Sequence, residues 1–176
     1  MLAKRYGNYE HIVAGLPTEA LKILTGSPYV TYKHREKDVD TIWKMLTSHD
    51  QAGDFIVCNS EAEKIEKEDL SGLSKDHAYS VLGTVKLENG KRLVKVRNPW
   101  SNALANAAFS NSDALNEGRE RKESGHKDSD YGIFFIDIET YVIQFTETYV
   151  TFDVSDWSSA KFLKLNDKYD AANPGV

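Results

Sequence analysis

Ala78-Tyr79-Ser80-Val81-Leu82-Gly83-Thr84-Val85-Lys86-Leu87 and Arg92-Leu93-Val94-Lys95-Val96-Arg97 are two β-rich runs joined by Glu88-Asn89-Gly90-Lys91. Both central positions of a type I′ turn need positive φ, which Asn and Gly adopt more readily than other residues, so the stretch predicts a two-residue hairpin. Further strands are predicted on either side of it. Asp54-Phe55-Ile56-Val57-Cys58 follows a Gly-containing turn, Gly132-Ile133-Phe134-Phe135-Ile136 is a β-rich run, and Thr146 to Val154 reads as a closing strand. Helices fall between them. Pro17 and Gly26 bracket one, with proline just inside its start and glycine just past its end. Asp38 is placed to cap a second, in which Val39, Ile42, Trp43 and Leu46 recur on one apolar face that should pack on a sheet. Asp137 is placed to cap a short third helix through Phe145. The fold class is therefore α+β, a mainly antiparallel sheet flanked by a few short helices.

Two polar stretches interrupt the pattern. Ser60 to Lys75 is charged and weakly periodic, and Ser101 to Asp130 is thirty residues of mostly small and polar side chains, longer than an ordinary connection. Both read as loops. The 176 residues carry 40% hydrophobic and 28% charged side chains, enough for one domain with a real core. A formal net charge of -5 leaves no basic stripe for phosphates or anionic lipid heads, so neither nucleic acid nor a membrane surface is an expected partner. Cys58 is the one cysteine, which excludes an internal disulfide and a multi-thiolate zinc site and fits a reducing, cytoplasmic setting. No apolar run approaches the ~20 residues of a membrane span, and the first residues are not followed by a signal-type apolar core.

Five histidines are candidates for chemistry. His11, His34, His49 and His126 have no partner at metal-site spacing and read as structural or solvated. His77 opens the first strand of the hairpin, and Asn98 closes the second, followed by Pro99 and Trp100. Cysteine peptidases orient a histidine with an amide: the imidazole pairs with a thiolate, and the amide oxygen accepts its other N–H. An adjacent indole can cover that bond from water. A two-residue turn, however, puts Asn98 opposite Val81, about 13 Å along the strand from His77. A bulge, with Gly83 the candidate position, or an asymmetric loop is needed to close the gap. On spacing alone the two side chains are either a structural polar pair or a catalytic one.

Asp76-His77-Ala78-Tyr79-Ser80-Val81 and Val96-Arg97-Asn98-Pro99-Trp100 resemble, in order and separation, the histidine and asparagine motifs of the calpain family of cysteine peptidases. The resemblance runs from Tyr9, Gly15, Glu19-Ala20-Leu21, Thr25-Gly26, Trp43 and the Phe55-to-Ser60 strand to Gly132-Ile133-Phe134-Phe135, and thins out beyond about Phe152. It implies a papain-like second lobe over residues 1–155, with 156–176 a tail or the start of a linker. It also implies His77 as general acid/base, Asn98 as its orienter and Trp100 as the shield. The partners implied are a preceding cysteine-bearing lobe, facing this one across a cleft, and a protein or peptide substrate.

Three features depart from the family. Calpains usually carry glycine before the histidine, where this chain has Asp76. The family's nucleophile lies in the preceding lobe, within a motif absent here, and Cys58 lies mid-strand in an apolar run, where a thiol behaves as a small hydrophobe. The family also binds calcium in this lobe, but the matching positions hold Leu104, Asn111, Tyr131 and Ile133, a poor set for a cation that needs several hard oxygens. Asp113, Asp128 and Asp130 read as solvated loop charges. No cofactor is therefore expected. Two functions follow from the resemblance: the histidine and asparagine half of an endopeptidase, inactive alone, or a calpain-like module that has lost catalysis and serves structure or protein binding.

Overall fold

The computed structural model describes residues 2–12, 15–60, 73–74, 76–100, 122–125 and 132–153. Most of the two polar stretches, His126, the acidic residues at 113, 128 and 130, and everything after 153, including the boundary expected at 155, lie outside the described residues. The helices are α1 (Leu2–Tyr6), α2 (Pro17–Thr25), α3 (Val39–Ala52) and α4 (Ile138–Gln144). The strands are β1 (Tyr29–Lys33), β2 (Phe55–Ser60), β3 (His77–Lys86), β4 (Arg92–Arg97), β5 (Ile133–Asp137) and β6 (Phe145–Thr151). They form one sheet in the order β1-β6-β2-β3-β4-β5. Every pairing is antiparallel.

The helix ends follow local chemistry. The Asp38 side chain accepts from Thr41 N–H and caps α3, and Asp137 accepts from Thr140 N–H at 2.8 Å and caps α4. Gly26 and Gly53 close α2 and α3 with φ of 72° and 77°, the left-handed conformation that costs a side-chain-bearing residue more than glycine. Ile42, Met45 and Leu46 of α3 and Ile138 and Tyr141 of α4 pack on one face of the sheet. There they meet Ile56, Cys58, Tyr79, Val81, Val94, Val96, Phe134, Ile136 and Val150. Burying a large apolar side chain stabilises by about 1.5–3 kcal/mol, so this layer fixes which residues of each strand face inward.

Several expectations need correction. The helix capped by Asp137 ends at Gln144, because Phe145 already pairs with Ser60 in the sheet, and the closing strand stops at Thr151. Strand β1 was not expected, although Tyr29-Val30-Thr31-Tyr32 has β-branched and aromatic residues throughout. The turn is not type I′, since Asn89 is not among the positive-φ residues and Gly90 (φ 88°) alone takes that conformation there. Leu87 accepts from Gly90 N–H at 2.9 Å and donates to Lys91 at 2.9 Å, which makes a three-residue loop with glycine at its left-handed position.

Candidate active site

The longer turn moves the hairpin register by one residue, and a bulge moves it by another. Lys86 pairs with Arg92 and Gly83 with Lys95, but Val81 pairs with Val96 and Ser80 with Arg97, so Leu82 is the extra residue. Extending that register puts Asn98 level with Tyr79, about 7 Å from His77 rather than 13 Å. Parity is the larger effect. One slip alone would turn Asn98 to the opposite face of the sheet, and two return it to the face of His77. The bulge sits where β2 ends as a neighbour of β3, because the last β2 to β3 pair is Ile56 with Val81. Beyond it Asp50 of α3 accepts from both Thr84 N–H and Thr84 Oγ1, each at 2.7 Å, in place of the missing strand.

The outcome is a formed pair. His77 Nε2 donates to Asn98 Oδ1 at 3.0 Å, and the same oxygen accepts Trp100 N–H at 3.0 Å. Two donors on one atom fix the amide orientation, and an oxygen acceptor fixes the tautomer as Nε2–H. Nδ1 is then a free lone pair with no hydrogen-bond partner among the described residues. His77 and Asn98 are 8% and 3% exposed, whereas Trp100 is 62% exposed. The Trp100 ring lies over the imidazole, centroids 3.9 Å apart and planes 37° apart, so its outer side meets solvent while its inner side covers the His77 ring. Asn98 N–H donates to Gly132 O at 2.8 Å, which anchors the end of β4 to the start of β5.

Three residues around His77 were not singled out in the sequence. Tyr79 is fully buried, its ring 4.8 Å from the imidazole and at 84° to it, so the imidazole contacts both a buried phenol ring and the exposed Trp100 indole. Ser60 Oγ accepts His77 N–H at 3.2 Å and donates to Ser74 O at 2.7 Å, while Tyr79 Oη accepts Ser74 N–H at 2.8 Å. Strand alternation placed Tyr79 on the face of His77, but its partner Ser74 could not be inferred locally. Asp76, in the position where the family usually has glycine, has φ of 46°, the left-handed region that Asp tolerates better than most residues. The backbone keeps a glycine-like turn into β3 despite the side chain.

The remaining candidates lie elsewhere. Cys58 is fully buried and donates to Tyr79 O at 3.7 Å, and burial pushes its thiol well above the ordinary value. It is a core residue. His34 is buried between Phe145 O (2.6 Å) and Thr148 Oγ1 (2.8 Å). His49 donates from Nδ1 to Asp54 at 2.7 Å and accepts from Tyr32 at Nε2 at 3.0 Å. Exposed His11 contacts Tyr6 O at 2.8 Å. Among the described residues no three His, Cys, Asp or Glu side chains gather as a metal site. Of the four positions matching the family's calcium ligands, Ile133 is on β5 with an aliphatic side chain, and Leu104, Asn111 and Tyr131 lie outside the described residues. That donor set does not fit calcium. No helix among the described residues is long and apolar enough to cross a membrane.

An antiparallel α+β domain carrying an amide-oriented histidine under an indole has the side-chain pairing that cysteine peptidases use. The family model for the calpain family cysteine protease matches residues 1–151, and the chain belongs to that family. Calpain-type cysteine protease DEK1 of Arabidopsis thaliana is 31% identical over 156 residues, 84% of this chain and 7% of that protein. Calpain-9 of Mus musculus is 31% identical over 154 residues, 81% of this chain and 22% of that protein. The chain thus spans less than a quarter of either relative. Among solved structures, SERA5E from Plasmodium falciparum aligns at 18% identity and a TM-score of 0.39 over 70% of this chain and 46% of that one, a likeness too low to argue from.

Proposed function

We propose that this chain is the histidine- and asparagine-bearing lobe of a calpain-type cysteine endopeptidase, acting on protein or peptide substrates when a cysteine-bearing lobe completes the cleft. The observation that carries this reading is the His77 imidazole, bonded to Asn98 through Nε2–H and without a partner at Nδ1 among the described residues. In the proposed mechanism Nδ1 takes the proton of the partner lobe's thiol, and the thiolate attacks the scissile carbonyl. The imidazolium then gives its proton to the leaving amine as the acyl-enzyme forms. Water, deprotonated by the same nitrogen, releases the acyl group. Asn98 holds the ring through both steps, and Trp100 keeps water from the Nε2–H bond. Cys58 cannot be the nucleophile, being buried and protonated. We further propose that the lobe works without calcium at the family position, and that its setting is cytoplasmic, with neither nucleic acid nor membrane as partner.

A second reading, a non-catalytic structural or protein-binding module, is favoured by Asp76 at the position immediately before His77, where the family usually has glycine. One experiment separates the two. The chain is joined behind a cysteine-bearing calpain lobe, and turnover of a protein substrate is measured. The catalytic reading expects His77→Ala to lower kcat by roughly 10²- to 10⁴-fold and Asn98→Ala by less. Equal turnover in wild type and His77→Ala supports the module instead. The chain alone is expected to hydrolyse nothing, because it supplies no accessible thiolate.

A further inference from the structure

We infer that Tyr79 is a positioning residue for His77, acting through its ring on the imidazole and through its hydroxyl on the segment that leads into β3. The inference deepens the reading of His77 as the acid–base group and rests on it. Tyr79 lies two residues on from His77 in β3, so the two side chains share a face, and the buried phenol ring meets the imidazole edge-on at 4.8 Å. Tyr79 is itself held by Phe134 and Phe145, with ring centroids 6.1 Å and 5.5 Å away at steep angles. It is therefore a rigid wall. Its hydroxyl accepts from Ser74 N–H, and Ser60 Oγ joins Ser74 O to His77 N–H.

These bonds make a closed loop of contacts. Ser74 is tied to Tyr79 through its N–H and to Ser60 through its carbonyl, and Ser60 is tied to the His77 backbone. The left-handed Asp76 turn lies inside that loop. His77 consequently has its backbone N–H held by Ser60, its ring in contact with Tyr79 and Trp100, and its Nε2–H held by Asn98. Among the described residues only Nδ1 is left without a partner. Burial raises the Tyr79 phenol, as suits a hydroxyl that stays a neutral acceptor for Ser74 N–H. A tyrosine kept only to fill the core would need its ring but not this hydroxyl bond.

The test is made on the 176-residue chain by NMR, following exchange with water of the His77 imidazole Nε2–H proton, which is observable only while hydrogen-bonded and shielded. Tyr79→Phe keeps the ring and removes the bond to Ser74, and Nε2–H exchange should become roughly tenfold faster, the opening expected on losing one hydrogen bond. Tyr79→Leu removes the wall as well, and the signal should vanish into exchange. Tyr141→Phe is the control for mere core destabilisation, since its hydroxyl bonds Thr148 in the same core but touches neither His77 nor Ser74. It should leave the Nε2–H signal unchanged. Wild-type exchange in Tyr79→Phe, or equal acceleration in Tyr79→Phe and Tyr141→Phe, would overturn the inference. Because the readout needs no turnover, its failure is distinct from a failure of the catalytic reading, which the joined-lobe assay decides.

Discussion

Replacing Asn98 with alanine tests the geometry of the pair without any need for catalysis. Asn98 Oδ1 is the acceptor for two donors, His77 Nε2–H and Trp100 N–H, each at 3.0 Å. The imidazole donor is buried, and leaving it unpaired costs about 1–3 kcal/mol. The Trp100 N–H is only part-buried and water can reclaim it, so its loss is about 0.5–1 kcal/mol. Asn98→Ala should therefore destabilise the fold by about 1.5–4 kcal/mol, or lower Tm by roughly 3–16 °C for a domain of this size. Urea denaturation of the isolated chain measures it directly. A double-mutant cycle isolates the pair: with His77→Ala in place, Asn98→Ala should cost about 1–2 kcal/mol less, because its main donor is already gone. A coupling of zero, or an Asn98→Ala variant as stable as wild type, would refute the geometry.

Three further outcomes follow from other parts of the structure. Burial raises the Cys58 thiol above its ordinary value of about 8.5, and also raises the Tyr79 and Tyr141 phenols. Above about pH 8.5 the unfolded thiol releases its proton while the native one retains it, so the native state binds more protons and stability falls as pH rises. Urea midpoints across that range should drop, Cys58→Ala should flatten the first part of the decline, and a level profile would contradict the burial. Asp50→Ala strips Thr84 of the acceptor for its N–H and hydroxyl, and should cost about 1–3 kcal/mol in the same denaturation assay, whereas no change would mean that the bulge is held by other contacts. Calorimetric titration with calcium should give no saturable isotherm, and a micromolar one would require ligands beyond the matching positions.

The sequence made the local features legible and left the non-local ones obscure. Pro17 with Gly26, Asp38 and Asp137 mark helix ends through bonds to their own neighbours, and all three helices formed near their expected bounds. The Asn-Gly signal located the hairpin but not its loop length, because a glycine in the left-handed conformation serves a three-residue loop as well as a two-residue one. The bulge at Leu82 depends on where the pairing of β2 with β3 ends and on the bond of Asp50 to Thr84, thirty-four residues away in sequence. Neither is a property of the hairpin itself. The pairing of His77 with Asn98 therefore came from the family motifs, while the spacing alone overstated their separation. The bracket of Ser60, Ser74 and Tyr79 is non-local in the same way.

The central claim is that His77 Nδ1 is open to receive a proton from a thiol on a partner lobe. A titration of that thiol in the joined protein tests this most directly, by following the rate of alkylation with a small haloacetamide as pH is raised. A thiol paired with imidazolium is ionised well below the ordinary cysteine value of about 8.5. The account predicts rapid alkylation already at mildly acid pH in wild type, and a shift of the profile to the ordinary range in His77→Ala. Identical profiles in the two proteins would contradict it.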